Sequence, residues 1–386
     1  MNVRILALHA FYQVLGGEDV SHRTEVAYLR ERGHDVENLT VDNASLASLS
    51  TPARLRATVS NGAAGARVED AIARFGPDVA YVNNLFPGWS GEAVAALTRA
   101  GVPVVRVLRN YRFACVSGNL FREGRFCDAC VGHSGLPGIV HGCYRGSRAT
   151  SAVATLARRA DRAASDGVEW IAISEFVRAQ AIRSGLPGER VSVRPNLTLP
   201  AAHVPEPSPA TASSPAATVL YVGRDSAEKG LPVAIDAMRI LRDGGSEATL
   251  EVAGAARDDA PDGVTFLGQV PHEGVSALMA RAAVLVVPSM WPEPFGRVVI
   301  EALAAGTPVV AASSGGLAEL AGEGVDLVEP GSAAALARGL ERALAADLTT
   351  ARVTARERYA RDFAPEVWYS RTMEAISRAR HRKDGA

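Results

Sequence analysis

The sequence predicts an α/β protein made of two doubly wound parallel-sheet domains facing a central cleft. Three observations carry that expectation. The chain has 386 residues, short aliphatic or β-branched runs alternate with longer Ala-, Leu-, Arg- and Glu-rich stretches, and the alternation breaks once, near residue 200. A chain of this length exceeds one ordinary core and suits two domains of roughly 100–200 residues each.

In the first half, strands are expected at Val3–Leu8, Asp35–Leu39, Val79–Asn83, Pro103–Leu108, Trp170–Ile173 and Val191–Pro195. Helical patterns lie between them, for example Ser21–Arg32 and Gly91–Ala100, the latter stopped by Gly101 and Pro103. The stretch LPAAHVPEPSPATASSPAAT then loses all apolar periodicity and is rich in Pro, Ala and Ser, as a linker is. Beyond it the alternation restarts: strand Val219–Val222, helix Leu231–Arg242, strands Thr249–Ala253 and Val264–Leu267, helix Val275–Arg281, strand Val284–Val287, helix Phe295–Ala305, strand Pro308–Ala311 and a helical region beyond Ala333. The domain expectation is therefore 1–198, a linker at 199–218, and 219–365, each domain Rossmann-like. A terminal helix at 366–386 is expected to pack back on the first domain.

With 47% hydrophobic and 22% charged residues and a mean hydropathy of +0.05, the composition is that of a globular protein with real cores. The 41 basic and 42 acidic residues leave a formal charge of −1, so no electrostatic case for nucleic acid exists. The apolar run at the N-terminus is too short for a signal-peptide core or a membrane span, which points to a cytoplasmic protein. Arginine runs at Arg158, Arg159 and Arg162 and at Arg378–Lys383 would allow peripheral contact with anionic lipid, although such runs are more often solvated faces. Oligomeric state is not legible.

Two segments carry chemistry. After strand Val219–Val222 comes Gly223-Arg224-Asp225-Ser226-Ala227-Glu228-Lys229-Gly230, a loop at the carboxyl end of a strand, where ligands of open α/β sheets bind. Arg224 and Lys229 are placed there to neutralise an anion such as a diphosphate; as ordinary loop cations they would simply be solvated. Only Lys229 and Lys383 are lysines in this arginine-rich chain, and a compact ammonium suits phosphate oxygens. The second segment runs Ser289-Met290-Trp291-Pro292-Glu293-Pro294-Phe295-Gly296-Arg297-Val298-Val299-Ile300-Glu301. A helix starting near Phe295, Gly296 and Arg297 offers free N–H groups and a dipole to phosphate. Glu293 and Glu301 can accept hydrogen bonds from sugar hydroxyls; singly, Glu293 reads equally as a carboxylate near a helix start and Glu301 as an i,i+4 partner of Arg297.

The pair of carboxylates eight residues apart, in the frame S-M-W-P-E-P-F-G-R-V-V-I-E-A-L-A-A-G-T-P-V-V-A, resembles the signature of the GT4 retaining glycosyltransferases (glycosyltransferase group 1, GT-B fold), and the resemblance spans nearly the whole chain. It implies a hexosyltransferase of polysaccharide or glycoconjugate biosynthesis. Such an enzyme would move a hexose-type sugar from a UDP- or GDP-sugar to a hydroxyl of a glycan, lipid-linked or natural-product acceptor. It implies that Gly16, Gly17, Gly223, Arg224, Lys229, Gly268, Val270, Glu293, Phe295, Gly296, Arg297 and Glu301 bind the donor, with Glu293 on the sugar and Glu301 on the ribose. Glu18, Asn84, Asn110 and Tyr111 fall on the acceptor side, and Ser174, Pro195-Asn196 and Ser313-Ser314-Gly315-Gly316 in further familiar places. Catalysis is expected from Glu293, Arg224, Lys229 and Arg109, with no catalytic metal. Arg109 is a departure, because many relatives carry histidine there, and a guanidinium cannot serve as a base.

Four cysteines, Cys115, Cys127, Cys130 and Cys143, sit in a Gly- and Arg-rich insertion at about 115–147. One C-x2-C knuckle with two outlying thiols allows a structural zinc site, with His133 and His141 as spare ligands, or four reduced thiols. Some relatives carry a similar cysteine-rich segment followed by C-Y-R-x-S, matched by Cys143-Tyr144-Arg145-Gly146-Ser147. Three rival functions remain. A dinucleotide-dependent dehydrogenase wants G-x-G-x-x-G directly after the first strand, and this chain has Gly16-Gly17 well beyond Leu8. A nucleotide-sugar epimerase of the same architecture and a non-catalytic nucleotide-sugar-binding protein stay open.

Overall fold

The computed structural model describes residues 2–13, 16–43, 48–200 and 217–384. The linker expected at 199–218 lies almost wholly outside them. The chain forms two compact units, Met1–Leu120 with Cys127–Leu197 and Trp368–Ala386, and Phe121–Phe126 with Thr198–Val367.

The first unit begins with β1 (Arg4–Phe11), α1 (Gly17–Glu31), β2 (Asp35–Asp42), α2 (Thr51–Val59), α3 (Gly62–Phe75), β3 (Val79–Val82), α4 (Ser90–Arg99) and β4 (Val104–Leu108). The cysteine-bearing insertion follows, holding a small hairpin, β5 (Phe121–Arg122) and β6 (Arg125–Phe126), and a short α5 (Leu136–Val140). Then come α6 (Arg148–Ala163), β7 (Glu169–Ala172), α7 (Glu175–Arg183) and β8 (Val191–Val193). The sheet has the order β2-β1-β3-β4-β7-β8, with every neighbouring pair parallel. Strands β3, β4 and β7 are buried along their whole length, which is why they read as unbroken apolar runs rather than alternating ones.

The second unit repeats the plan with β9 (Thr218–Val222), α8 (Leu231–Asp243), β10 (Thr249–Ala253), β11 (Val264–Gly268), α9 (His272–Arg281), β12 (Val284–Val287), α10 (Arg297–Ala305), β13 (Val309–Ala312), β14 (Val325–Val328), α11 (Ala333–Ala345) and α12 (Leu348–Asp362). A final helix, α13, spans Pro365–Asp384. The parallel sheet order is β11-β10-β9-β12-β13-β14. The order reverses between β9 and β12, so the loops leaving those strands flank the topological switch point, where such sheets bind ligands.

The core of the first unit is built around a charge. Glu25 on α1 is 0% exposed, and its carboxylate pairs with Arg109 at 2.5 Å and Arg194 at 3.2 Å. It also accepts hydrogen bonds from Tyr81 Oη at 2.8 Å and Trp368 Nε1 at 3.1 Å. Burial alone would raise this carboxyl; the two guanidinium groups outweigh it and hold it at about 2. Arg194 donates further to Thr372 and lies over the Trp368 ring at 4.7 Å, so the start of α13 is part of this core.

The network continues through Arg109 to α1. Arg109 Nε donates to Asn83 Oδ1 at 3.1 Å, which turns the Asn83 amide nitrogen towards His22 Nδ1 at 3.0 Å. His22 Nε2 in turn donates to Asn38 Oδ1 at 2.9 Å. With one ring nitrogen accepting and the other donating, His22 is fixed as the neutral tautomer. Burial, reinforced by the stacked His9 ring at 4.4 Å, pushes its pKa down to about 3.

Two outcomes follow. Glu25→Gln leaves two buried guanidinium groups short of a counter-charge and is expected to cost about 3–5 kcal/mol in urea unfolding of the first unit. The unfolded chain protonates His22 near pH 6.5 and the native chain only near 3, so native stability falls as pH drops through that window. His22→Gln removes this difference, and the decline of Tm between pH 6.5 and 4 is expected to become shallower; an unchanged slope contradicts the assignment.

Candidate active site

Three loops of the second unit close on one another at the switch point. The loop after β9 ends at Lys229 and Gly230, the loop after β12 carries Ser289 to Gly296, and the loop after β13 carries Ser313 to Gly316. Lys229 Nζ lies 2.5 Å from Glu293 Oε1, and Ser289 Oγ donates to the same oxygen at 2.9 Å. The ammonium also faces the Trp291 ring at 5.3 Å. Backbone bonds knit the loops: Met290 N to Glu228 O at 2.9 Å, and Gly316 N to Glu293 O at 2.6 Å. Ser314 Oγ donates to Trp291 O at 2.6 Å.

Two glycines make this closeness possible. Gly230 has φ +70°, and a Cβ there would stand 2.0 Å from Pro288 O. Gly315 has φ +60°, and its Cβ would meet Glu293 O at 2.5 Å. Both positions need the left-handed region and lack room for any side chain. Gly296, also left-handed at φ +96°, is the cap from which α10 starts at Arg297. Within α10, Arg297 Nε donates to Glu301 Oε1 at 2.7 Å.

The expected site residues are distributed unevenly. Lys229, Glu293, Gly296, Arg297 and Glu301 share the loop cluster and the helix that leaves it. Arg224 is 77% exposed in its side chain and faces Glu228 at 3.6 Å. Phe295 is buried edge-on against Phe363, so only its backbone can face a ligand. Gly223 N bonds Ala253 O; Gly268 donates to Ala255 O and accepts from Gly254 N, so neither glycine amide is spare. Val270 lies just beyond the end of β11, before α9. Ser289 and Glu228, which position Glu293 and the second loop, were not singled out in the sequence; only their place inside the quoted segments hinted at them.

In the first unit, Gly16 and Gly17 sit at the start of α1, where Asp19 Oδ2 accepts from Gly16 N at 2.8 Å and Oδ1 from His9 Nε2 at 2.8 Å. Asp19, three residues past Gly16, is the other group sequence reasoning missed. Glu18 accepts from Asn110 Nδ2 at 2.7 Å and from Tyr12 Oη. Asn84 ties strand ends together, donating to Ala10 O at 2.8 Å and Phe86 O at 3.1 Å. Tyr111 is fully buried against Phe176. Ser174 caps α7 through Val177 N, and Asn196 accepts from Arg109. All three guanidinium nitrogens of Arg109 are engaged, by Asn83, Asn196 and Glu25. Its position serves the core network rather than presenting a free cation.

Among the described residues no group of three or more His, Cys, Asp or Glu side chains is arranged to hold a metal ion. None of the four cysteines is joined in a disulfide. Cys130 packs with Val116 and Ala154 in an apolar cluster flanked by Phe86 and Tyr144, and burial pushes its thiol up. Cys115, equally buried, contacts Ser117 Oγ at 3.2 Å. The insertion is thus organised by apolar packing.

Two family profiles match the chain, the glycosyl transferase 4-like domain over residues 16–197 and the glycosyl transferases group 1 domain over 208–361. The chain belongs to the group 1 glycosyltransferases. An uncharacterized glycosyltransferase of Methanocaldococcus jannaschii is 38% identical over 138 residues, covering 33% of this chain and 35% of that protein. The chain thus matches about a third of the length of such a curated relative. Solved structures extend over nearly everything. A glycosyltransferase from Rickettsia africae superposes with a TM-score of 0.70 at 15% identity, over 98% of both chains. HepE from Anabaena in complex with UDP-glucose gives 0.66 at 21% identity, over 97% of this chain and 100% of that one. These likenesses establish the two-unit GT-B fold of the group 1 glycosyltransferase.

The loop cluster generates one outcome by itself. Gly230→Ala forces a side chain against Pro288 O and into an unfavourable φ, and is expected to destabilise the second unit by at least ~2 kcal/mol. Calorimetry on the variant measures this, and a wild-type melting profile would contradict the geometry.

Proposed function

We propose that this group 1 glycosyltransferase is a retaining enzyme that moves a hexose-type sugar from a UDP- or GDP-sugar to a hydroxyl acceptor. The observation that supports this best is the contact of Lys229 and Glu293 at the switch point, beside the N-terminus of α10. A cation, a helix start and two carboxylates in one loop cluster match the charge pattern of a nucleotide diphosphate sugar. That HepE binds UDP-glucose on the same fold favours a nucleotide sugar as donor.

In the proposed reaction the bond between the anomeric carbon and the β-phosphate oxygen breaks. A bond to the acceptor oxygen forms on the same face, and the departing diphosphate takes the acceptor proton. Negative charge grows on the diphosphate as that bond lengthens. Lys229 and the free N–H groups at the start of α10 stabilise it there. Arg224, long and exposed, is free to swing onto the phosphates from the same loop. Glu293, held by Ser289, accepts from the sugar hydroxyls, and Glu301 from the ribose. Donor binding then replaces the Lys229–Glu293 contact with a Lys229–phosphate contact, releasing the carboxylate towards the sugar.

Calorimetric titration with UDP, GDP, ADP and dTDP tests the donor side. One nucleotide is expected to bind, and Lys229→Ala and Glu301→Ala are each expected to weaken it about tenfold or more, the worth of one charge-assisted hydrogen bond. Glu293→Gln is expected to keep nucleotide affinity within about threefold while losing at least about 100-fold in donor-sugar turnover. Equal nucleotide binding by all three variants and the parent would refute the site. Tight donor binding without turnover on any acceptor would favour a nucleotide-sugar-binding protein instead.

A further inference from the structure

The Lys229 ammonium has two neighbours of different kind. Glu293 Oε1 lies 2.5 Å away, and the centroid of the Trp291 ring lies 5.3 Å away. A carboxylate neutralises an ammonium, whereas an aromatic face attracts it through the ring quadrupole and leaves its full charge in place. A diphosphate that displaces Glu293 from Lys229 therefore has no cause to displace the indole, which carries no charge to repel it.

The indole is itself anchored. Trp291 O accepts from Ser314 Oγ at 2.6 Å, in the loop after β13, and the N–H of the preceding Met290 donates to Glu228 O at 2.9 Å, in the loop after β9. Pro292 follows and biases Trp291 towards extended backbone. All three loops of the cluster thus fix the place of one half-buried ring. Lysine has need of such a support. Its four-carbon stem is flexible and the Lys229 side chain is 26% exposed, so once the carboxylate is displaced, an ammonium with no second neighbour could turn to solvent.

We propose that Trp291 is a positioning residue for Lys229: its face holds the ammonium where the β-phosphate of the donor arrives, before and after Glu293 is displaced. Trp291 meets no reacting atom and acts through the lysine. The proposal rests on the nucleotide-sugar reading of this site and adds the group that sets the reach of its cation.

Paired nucleotides test this on the full chain by calorimetric titration: UDP with UMP, and GDP, ADP and dTDP each with its own monophosphate. The parent is expected to bind one diphosphate about tenfold or more tightly than its monophosphate, and Lys229→Ala to abolish that preference. Trp291→Leu is expected to cut the preference by about three- to tenfold with monophosphate affinity unchanged, while Trp291→Phe, which keeps an aromatic face, loses no more than about twofold. The double variant Lys229→Ala/Trp291→Leu is expected to match Lys229→Ala within about twofold, because a ring that acts only through the lysine has nothing left to act on. If Trp291→Leu loses its cooperative melt, Trp291→Met takes its place. An unchanged preference in the folded leucine or methionine variant, an equal loss for diphosphate and monophosphate, or a further loss in the double variant overturns the proposal. A preference that survives Lys229→Ala, or that the parent lacks, overturns the nucleotide-sugar reading and this proposal with it, so the two failures are told apart.

Discussion

The ion cluster around Glu25 is the constraint on which the first unit depends. A carboxylate with no solvent exposure is tolerable only because Arg109, Arg194, Tyr81 and Trp368 surround it on four sides. Those partners come from just beyond β4, from just beyond β8, from β3 and from α13, so one side chain on α1 fixes the relative placement of four distant segments. Removing a single member exposes the others to an uncompensated charge. At position 109 one guanidinium neutralises Glu25 while donating to Asn83 and Asn196, three partners that a two-nitrogen imidazole could not engage together.

Most of the fold was legible because parallel strands covered on both faces announce themselves as apolar runs. Val79–Val82, Thr249–Ala253 and Val284–Val287 could be placed to within a residue from pattern alone. What pattern could not supply lies where apolar content is low. Helices α2 and α3 are rich in Ala, Arg and Gly, so their apolar stripe is thin, and β14 reads Val-Asp-Leu-Val with only its ends buried. The hairpin and short helix of the insertion depend on local turns and on the Val116, Cys130 and Ala154 cluster, which no periodicity announces.

The site shows a similar division. Lys229, Glu293 and Glu301 could be named from spacing because loop ends and helix starts are fixed by the sheet topology. Side-chain direction is another matter. Spacing assigned Arg224 and Lys229 the same role, whereas in the structure Arg224 faces Glu228 and Lys229 faces Glu293. Cysteine spacing likewise offered a ligand set, and it carried no signal of the apolar cluster in which Cys130 packs.

The route of the chain through its two units has a consequence for biosynthesis. Trp368 and Thr372, which complete the Glu25 and Arg194 environment, are made more than 300 residues after Glu25, by the numbering alone. As the chain leaves the ribosome, the segment from Thr198 to Val367 emerges before the last piece of the first unit does. The ion cluster at the centre of the first unit therefore gains its last partners only after all of the second unit has been synthesised, and a chain cut short before Trp368 would lack the Trp368 and Thr372 contacts to Glu25 and Arg194.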